Sequence, residues 1–286
     1  MPIDAEKLLK FPVPEGRQEI SPRDVALYAL SVGVGFDPLD RDVLPYVDPL
    51  QGPLVLPSMV LVLAHPGFWM AHPDSGIDPG SILHAAQTFE ILSDIPTEGL
   101  VRSRTRVTDL VDKGPSKAAL VFTETELFGS DDAVFAKLGR TLFIRGGGGF
   151  GGTSEAPSTK APAPGEGDPD FVVDLPTAPS QALLYRLNGD LNPLHSDPDV
   201  AAAANFPRPI LHGLCTAGVA THAIVRTLGR YRPDSIRSMS LRFTQPVFPG
   251  ETIRTEIWKG GQFRARLLER DAEVISGGFA EITPAS

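Results

Sequence analysis

Cysteine is almost missing from this chain: Cys215 is the only one in 286 residues. One thiol excludes an internal disulfide and any thiolate-cluster metal site, and it agrees with a reducing compartment. Cys215 is therefore expected as a small core residue. Long apolar runs are missing too. The longest, Leu54 to Ala64, is broken by Pro57 and Ser58 and is far short of the roughly 20 residues that a helical membrane span requires. The first residues, MPIDAEKLLKF, carry acidic groups early and no apolar h-region, so no secretory signal is expected and the cytoplasm is the expected compartment. The final Pro284-Ala285-Ser286 lacks the Ser-Lys-Leu type of peroxisomal address. Basic charge is in deficit. A formal net charge of −9 argues against a nucleic-acid partner, which would require a basic face, yet local arginines can still hold one anionic ligand.

What is present is enough apolar sequence for a substantial core, in one large domain or two smaller ones. The sharpest change of composition is Gly146-Gly147-Gly148-Gly149-Phe150-Gly151-Gly152 followed by TSEAPSTKAPAPGEGDPD. This mixture cannot bury a hydrophobic face, so residues 146–168 are expected to be a linker between halves 1–145 and 169–286. A phosphate cradle is a poor alternative for the glycines, because no Lys-Ser or Lys-Thr pair and no helix follows them.

In the second half, Gln181 to Leu187 suggests a short helix, and Ser196-Asp197-Pro198 is a helix start with a capping acceptor and proline at the first helical position. From Gly213 to Leu228, Leu214, Ala217, Gly218, Thr221, Val225 and Leu228 recur at helical spacing and predict a buried central helix. Strand-like runs then alternate with Pro249-Gly250, Gly260-Gly261 and other turns, which makes neighbouring strands antiparallel. A long helix followed by such a meander predicts an α+β hotdog arrangement, a sheet wrapped around the helix. The first half carries a blurred copy of the plan: Tyr28-Ala29-Leu30-Ser31-Val32-Gly33 echoes Tyr185-Arg186-Leu187-Asn188-Gly189-Asp190, and three later strands recur. The expectation is a double hotdog whose first repeat is degenerate.

Residues able to do chemistry concentrate between Tyr185 and Gly218. Asp190 and His195 stand five apart on a proline-interrupted loop, where Gly189 permits unusual backbone angles and Asn192-Pro193 favours a turn. Such a loop can bring a carboxylate and an imidazole to one point. The plainer alternative is that Asp190 caps a turn and His195 packs at the next helix. Gly213 opens the long helix, where unpaired N–H groups and the macrodipole favour negative charge, or else it marks a close approach to another element. Asn192 orients the loop or touches a ligand. Tyr185 and Phe243 are economical as core aromatics. His65 and His72 fall in loop contexts, His222 is expected to pack within the helix, and no metal site emerges because ligand spacing is lacking.

Gly189-Asp190-Leu191-Asn192-Pro193-Leu194-His195 has the pattern GDxNPxH. Together with Ile210-Leu211-His212-Gly213-Leu214-Cys215 it resembles the hydratase 2 motif of the MaoC-like, (R)-specific enoyl-CoA hydratases. The similarity extends to LHAAQ, DKG and GGGGFGG in the first half and to RFTQPVFPGE and the terminal strands in the second. It implies reversible hydration of trans-2-enoyl-CoA to (3R)-3-hydroxyacyl-CoA, with Asp190 and His195 positioning the water. It also implies oxyanion stabilisation at Gly213, an acyl-CoA contact near Phe243, no metal or redox cofactor, and a homodimer. Arg208, just before Ile210-Leu211-His212-Gly213, is placed either to meet a CoA phosphate or to stand as an exposed, solvated arginine. One departure is plain. In Ile82-Leu83-His84-Ala85-Ala86-Gln87, Ala86 stands where the family pattern LHGEQ has Glu, and no Gly-Asp pair or matching His follows Tyr28. Chemistry is therefore expected in the second half, with the first forming the acyl pocket. Two alternatives remain open, a hotdog thioesterase and a non-catalytic acyl-CoA binding protein.

Overall fold

Ten antiparallel strands share one sheet in the computed structural model, which describes residues 2–155, 165 and 167–283. Much of the Pro-rich part of the expected linker, and Pro284 to Ser286, lie outside the described residues. The strands are β1 (Gly16–Ile20), β2 (Ile82–Ile91), β3 (Gly99–Asp112), β4 (Ala119–Phe128), β5 (Val134–Ile144), β6 (Phe171–Pro176), β7 (Ile236–Phe243), β8 (Thr252–Ile257), β9 (Gln262–Leu267) and β10 (Ala272–Ile282). Their order is β1-β3-β4-β5-β2-β7-β10-β9-β8-β6. Replacing β1 to β5 by β6 to β10 turns one half of that order into the mirror of the other, so the duplication is written in the topology. This is a double hotdog.

Period-2 alternation builds the sheet. In β8 and β9, Ile253, Thr255 and Ile257 and then Phe263, Ala265 and Leu267 are buried on one face, as successive side chains on a strand must point opposite ways. The turn before β9 needs glycine: Gly261 has φ +89, and a Cβ there would stand 2.1 Å from the Ala280 carbonyl oxygen. The two repeats meet at β2 and β7, where Ala86 to Glu90 pair with Arg242 to Ser238.

Among the described residues, six α-helices accompany the sheet: α1 (Ala5–Leu9), α2 (Pro22–Ser31), α3 (Leu44–Val47), α4 (Gln181–Tyr185), α5 (Pro198–Ala203) and α6 (Gly213–Thr227). The long helix expected from Gly213 is α6, buried from Leu214 through Val225. Gly218 lets α2 approach it, since a Cβ there would stand 2.5 Å from Val32. The echoing tyrosines meet at this contact, Tyr28 of α2 and Tyr185 of α4 being buried with ring centroids 6.3 Å apart. In the first repeat the place of α6 is taken by the buried segment around Leu54 to Ala64, which forms only a short 3-10 helix, Pro57–Leu61. The first repeat is thus degenerate in structure as well as in motif. Its His84 segment opens strand β2, with a bulge between His84 and Ala86.

The glycine run corrects the expectation of a simple linker. Asp112, at the end of β3, accepts the N–H groups of Gly114 and Gly149 on Oδ1 and of Gly151 on Oδ2, each at 2.7 Å. These bonds hold its carboxyl below the usual carboxylate range. A Cβ at Gly148 would stand 2.5 Å from the Gly114 carbonyl oxygen, and Phe150 packs against a second apolar cluster around Trp69, Val121 and Leu142. The glycines cradle the chain's own carboxylate in place of a phosphate. The polar backbone of the run is satisfied from 37 residues upstream, which local composition does not reveal.

Candidate active site

The loop after α4 is built from successive side-chain caps. A 3-10 turn, Arg186–Asn188, ends at Gly189, whose φ of +113 suits a residue without a Cβ. Asp190 Oδ1 accepts the Asn192 N–H at 3.2 Å, and Asn192 Oδ1 accepts the Leu194 N–H at 3.1 Å. Pro193 starts the next turn, Pro193–His195, and Asp197 caps α5 with Pro198 at its first position. Asn192 is therefore a loop-shaping residue. The return strand of the loop is pinned where the Leu211 N–H donates to the Val247 carbonyl at 2.7 Å.

This arrangement brings Asp190 and His195 together and adds His212. One ligating atom from each of the three lies within 4.8 Å of the other two. That grouping could hold a metal ion, and its spacing can equally hold a water between a carboxylate and an imidazole. His195 Nδ1 meets the Ile210 carbonyl oxygen at 2.8 Å, and because a carbonyl only accepts, Nδ1 carries the proton. Burial lowers the His195 pKa. The ring is consequently neutral, with Nε2 free to accept a proton.

His212 was not singled out in the sequence beyond its place beside Gly213. Its ring stacks on His195 with centroids 3.7 Å apart and planes 26° apart, and Tyr185 closes the other side at 4.9 Å. Nε2 of His212 donates to the Asp190 backbone carbonyl at 3.2 Å, which ties the carboxylate's backbone to the stacked pair. Burial and the neighbouring His195 push His212 down to about 3. Tyr185, expected as a core aromatic, is buried and forms the floor of the pair.

Gly213 is the first residue of α6, and no side chain caps the N–H groups of that turn. A Cβ at Gly213 would meet the Phe243 ring at 3.4 Å, an ordinary contact, so the protein itself leaves room for a side chain. Phe243 thus stands at the mouth of the helix. Arg208 is exposed, its guanidinium donating to the Pro249 carbonyl at 3.2 Å and lying over the Phe248 ring at 5.1 Å. Residues of the first repeat also turn toward the site. His84 packs edge-on against Phe243 with centroids 4.9 Å apart, and His65 and Arg140 both feel the Asp190 charge. His65 was expected only in a loop. Nothing local in the sequence predicts these approaches, because they depend on cross-repeat packing.

Fold and loop together define a double-hotdog protein with an acid and imidazole site at the opening of its central helix. The MFE-2 hydratase 2 N-terminal domain matches residues 19–146, and the MaoC like domain matches residues 160–276. An enoyl-CoA hydratase of Mycobacterium tuberculosis is 40% identical over the full length of both chains. The peroxisomal enoyl-CoA hydratase 2 of Arabidopsis thaliana is 38% identical, over 96% of this chain and 94% of its own. The crystal structure of a MaoC-like dehydratase from Phytophthora capsici superposes with a TM-score of 0.85 at 31% identity, covering 98% of each chain. The chain belongs to the MaoC-like hydratase 2 family. Among the described residues, no helix is long and apolar enough to cross a membrane.

Proposed function

We propose that the protein is a hydro-lyase that reversibly hydrates trans-2-enoyl-CoA to (3R)-3-hydroxyacyl-CoA. The observation that carries this reading is the convergence of Asp190 and neutral His195 beside the uncapped first turn of α6. A water held between the carboxylate and Nε2 of His195 loses one proton to the imidazole as its oxygen bonds to C3. The C2–C3 π pair moves toward the thioester oxygen, where the N–H groups at Gly213 and the helix dipole stabilise the developing charge. Collapse of that charge forms the C2–H bond, with the proton returned by the Asp190 and His195 pair. One O–H bond and one π bond are exchanged for C–O and C–H bonds, and no electrons are gained or lost.

The protons and the oxyanion are thereby provided for by side chains and backbone, so the reaction needs no metal or redox cofactor. Delivery of water from the loop side alone fixes one face of C3 and accounts for a single product configuration. The relatives' names, enoyl-CoA hydratase and dehydratase, support the substrate class. A homodimer is part of the same reading. The test follows loss of enoyl-thioester absorbance, coupled to dehydrogenases that accept only one 3-hydroxy configuration. R product establishes the reaction; S product or release of free thiol overturns it, the latter in favour of a thioesterase. Tight acyl-CoA binding with no turnover would identify a binding protein.

A further inference from the structure

The concave face of the first repeat contains a polar row that hydration of a plain alkyl chain does not use. Arg140 of β5 is the cross-strand partner of both Gln87 of β2 and Thr123 of β4, and residues paired across strands share a face. Gln87 and Thr123 are buried. On one side of this row lie Phe89 and Leu138, joined to the main core, and on the other Val121 and Leu142 of the second cluster. A guanidinium between two apolar clusters is unusual, because charged groups are rarely buried without a partner. Among the described residues, Arg140 makes no hydrogen bond or ion pair with its side chain. It keeps some accessible surface while protein surrounds it.

Contacts link this row to the site. Gly213 meets Phe243, Phe243 meets the His84 ring at 4.9 Å, and His84 stands on the same strand face approach as Gln87. His65 follows the buried 54–64 segment on the opposite side, its Nδ1 accepting the Gly67 N–H at 3.1 Å. Burial and the Arg140 cation hold His65 down to about 4 and His84 down to about 3. Both imidazoles are neutral at pH 7, and Arg140 supplies the fixed positive charge of the row.

We propose that Arg140, with His65 and His84 nearby, is a carboxylate-recognition subsite of the acyl pocket, so that the preferred substrate is a trans-2-enoyl thioester whose acyl group carries a second, distal carboxylate. This rests on the hydration reading above. The planar guanidinium fork matches a carboxylate with two parallel N–H···O bonds, and an incoming anion supplies the partner that the fold withholds. A methyl-terminated chain would leave the guanidinium with the Asp190 charge nearby but no hydrogen-bonded partner.

Two series of trans-2-enoyl-CoAs matched in chain length, one methyl-terminated and one carboxylate-terminated, test the proposal with wild type, Arg140→Met and Arg140→Lys. At one chain length the wild-type kcat/KM should favour the carboxylate by on the order of tenfold or more, as expected for a charge-assisted hydrogen bond in an enclosed site. Arg140→Met should erase that preference mainly through KM and leave Tm unchanged or raised. Arg140→Lys should restore part of the preference. Wild-type preference for methyl ends at every length would overturn the subsite. So would equal loss of both series in Arg140→Met, which would make Arg140 a positioning residue for Asp190, or weakened binding of free CoA, which would pair it with the cofactor portion. If wild type hydrates neither series, the reaction assigned above fails. Calorimetric binding of saturated carboxyacyl-CoA against fatty acyl-CoA then still decides the subsite by the same Arg140→Met comparison.

Discussion

The imidazoles of His195 and His212 lie face to face, 3.7 Å between centroids, and His212 is hydrogen-bonded to the backbone of the residue that supplies the carboxylate, Asp190. The stack therefore couples the orientation of acid and imidazole. In His212→Phe the ring face is kept and the bond to Asp190 is lost. Its kcat should fall by roughly tenfold, the worth of about one net hydrogen bond, with KM little changed; steady-state kinetics beside a thermal melt will decide. Unchanged kcat would reduce His212 to a packing residue.

Asp190→Asn removes the carboxylate and His195→Gln removes the proton acceptor, while each keeps similar volume. Hydration by either should drop by at least about 100-fold, in the range for loss of a general acid or base. Both variants should melt within a few degrees of wild type. Wild-type turnover in both, with folding intact, would remove the pair from the mechanism.

Burial lowers the His195 pKa, so the base form survives to a lower pH than for a free imidazole. Protonation removes activity as pH falls through the folded value, which lies below the ordinary histidine value of about 6.5. A profile of kcat/KM against pH should thus place the acid limb below that value. A limb above it would mean that a different group titrates.

Gly213→Ala separates fold from chemistry. The added methyl meets Phe243 at 3.4 Å, a tolerable contact, yet in the proposed reaction it occupies the approach of the thioester oxygen. Tm should hold while kcat falls by about 100-fold, comparable to loss of an oxyanion donor. Treatment of wild type with EDTA, in contrast, should leave turnover intact. Loss on chelation and recovery with a divalent cation would turn the Asp190, His195 and His212 cluster into a metal site.

Asp112→Asn should lower Tm by several degrees and leave turnover per folded molecule unchanged, because its three N–H bonds hold the glycine run and not the site. The sign with pH follows from its depressed value in the fold. The unfolded chain binds the proton more tightly, so this contribution is full above the usual aspartate range and vanishes as pH falls through the folded value. Melts of wild type and variant from pH 7 to pH 3 should therefore converge at the acid end.

The sequence made the second repeat largely legible, because α6 keeps its apolar face at Leu214, Ala217, Thr221 and Val225 and its strands are punctuated by glycine pairs. GDxNPxH located the loop, since a positive φ at Gly189 and caps at Asn192 and Asp197 are local events. His65, His84 and Arg140 were less legible. Their approach to the site depends on strand register and on the packing of one repeat against the other, which no local period encodes. The glycine run misled for the same reason, its acceptor Asp112 being distant in sequence.

The seam between β2 and β7 also says what covalent continuity does for this molecule. Separated repeats would each present a bare strand edge, open to any other extended chain. Joined in one polypeptide, those edges find each other at a high effective concentration that does not depend on expression level. The fused chain is therefore protected against mispairing during synthesis, and the first repeat closes the sheet of the second without a Gly-Asp pair of its own after Tyr28.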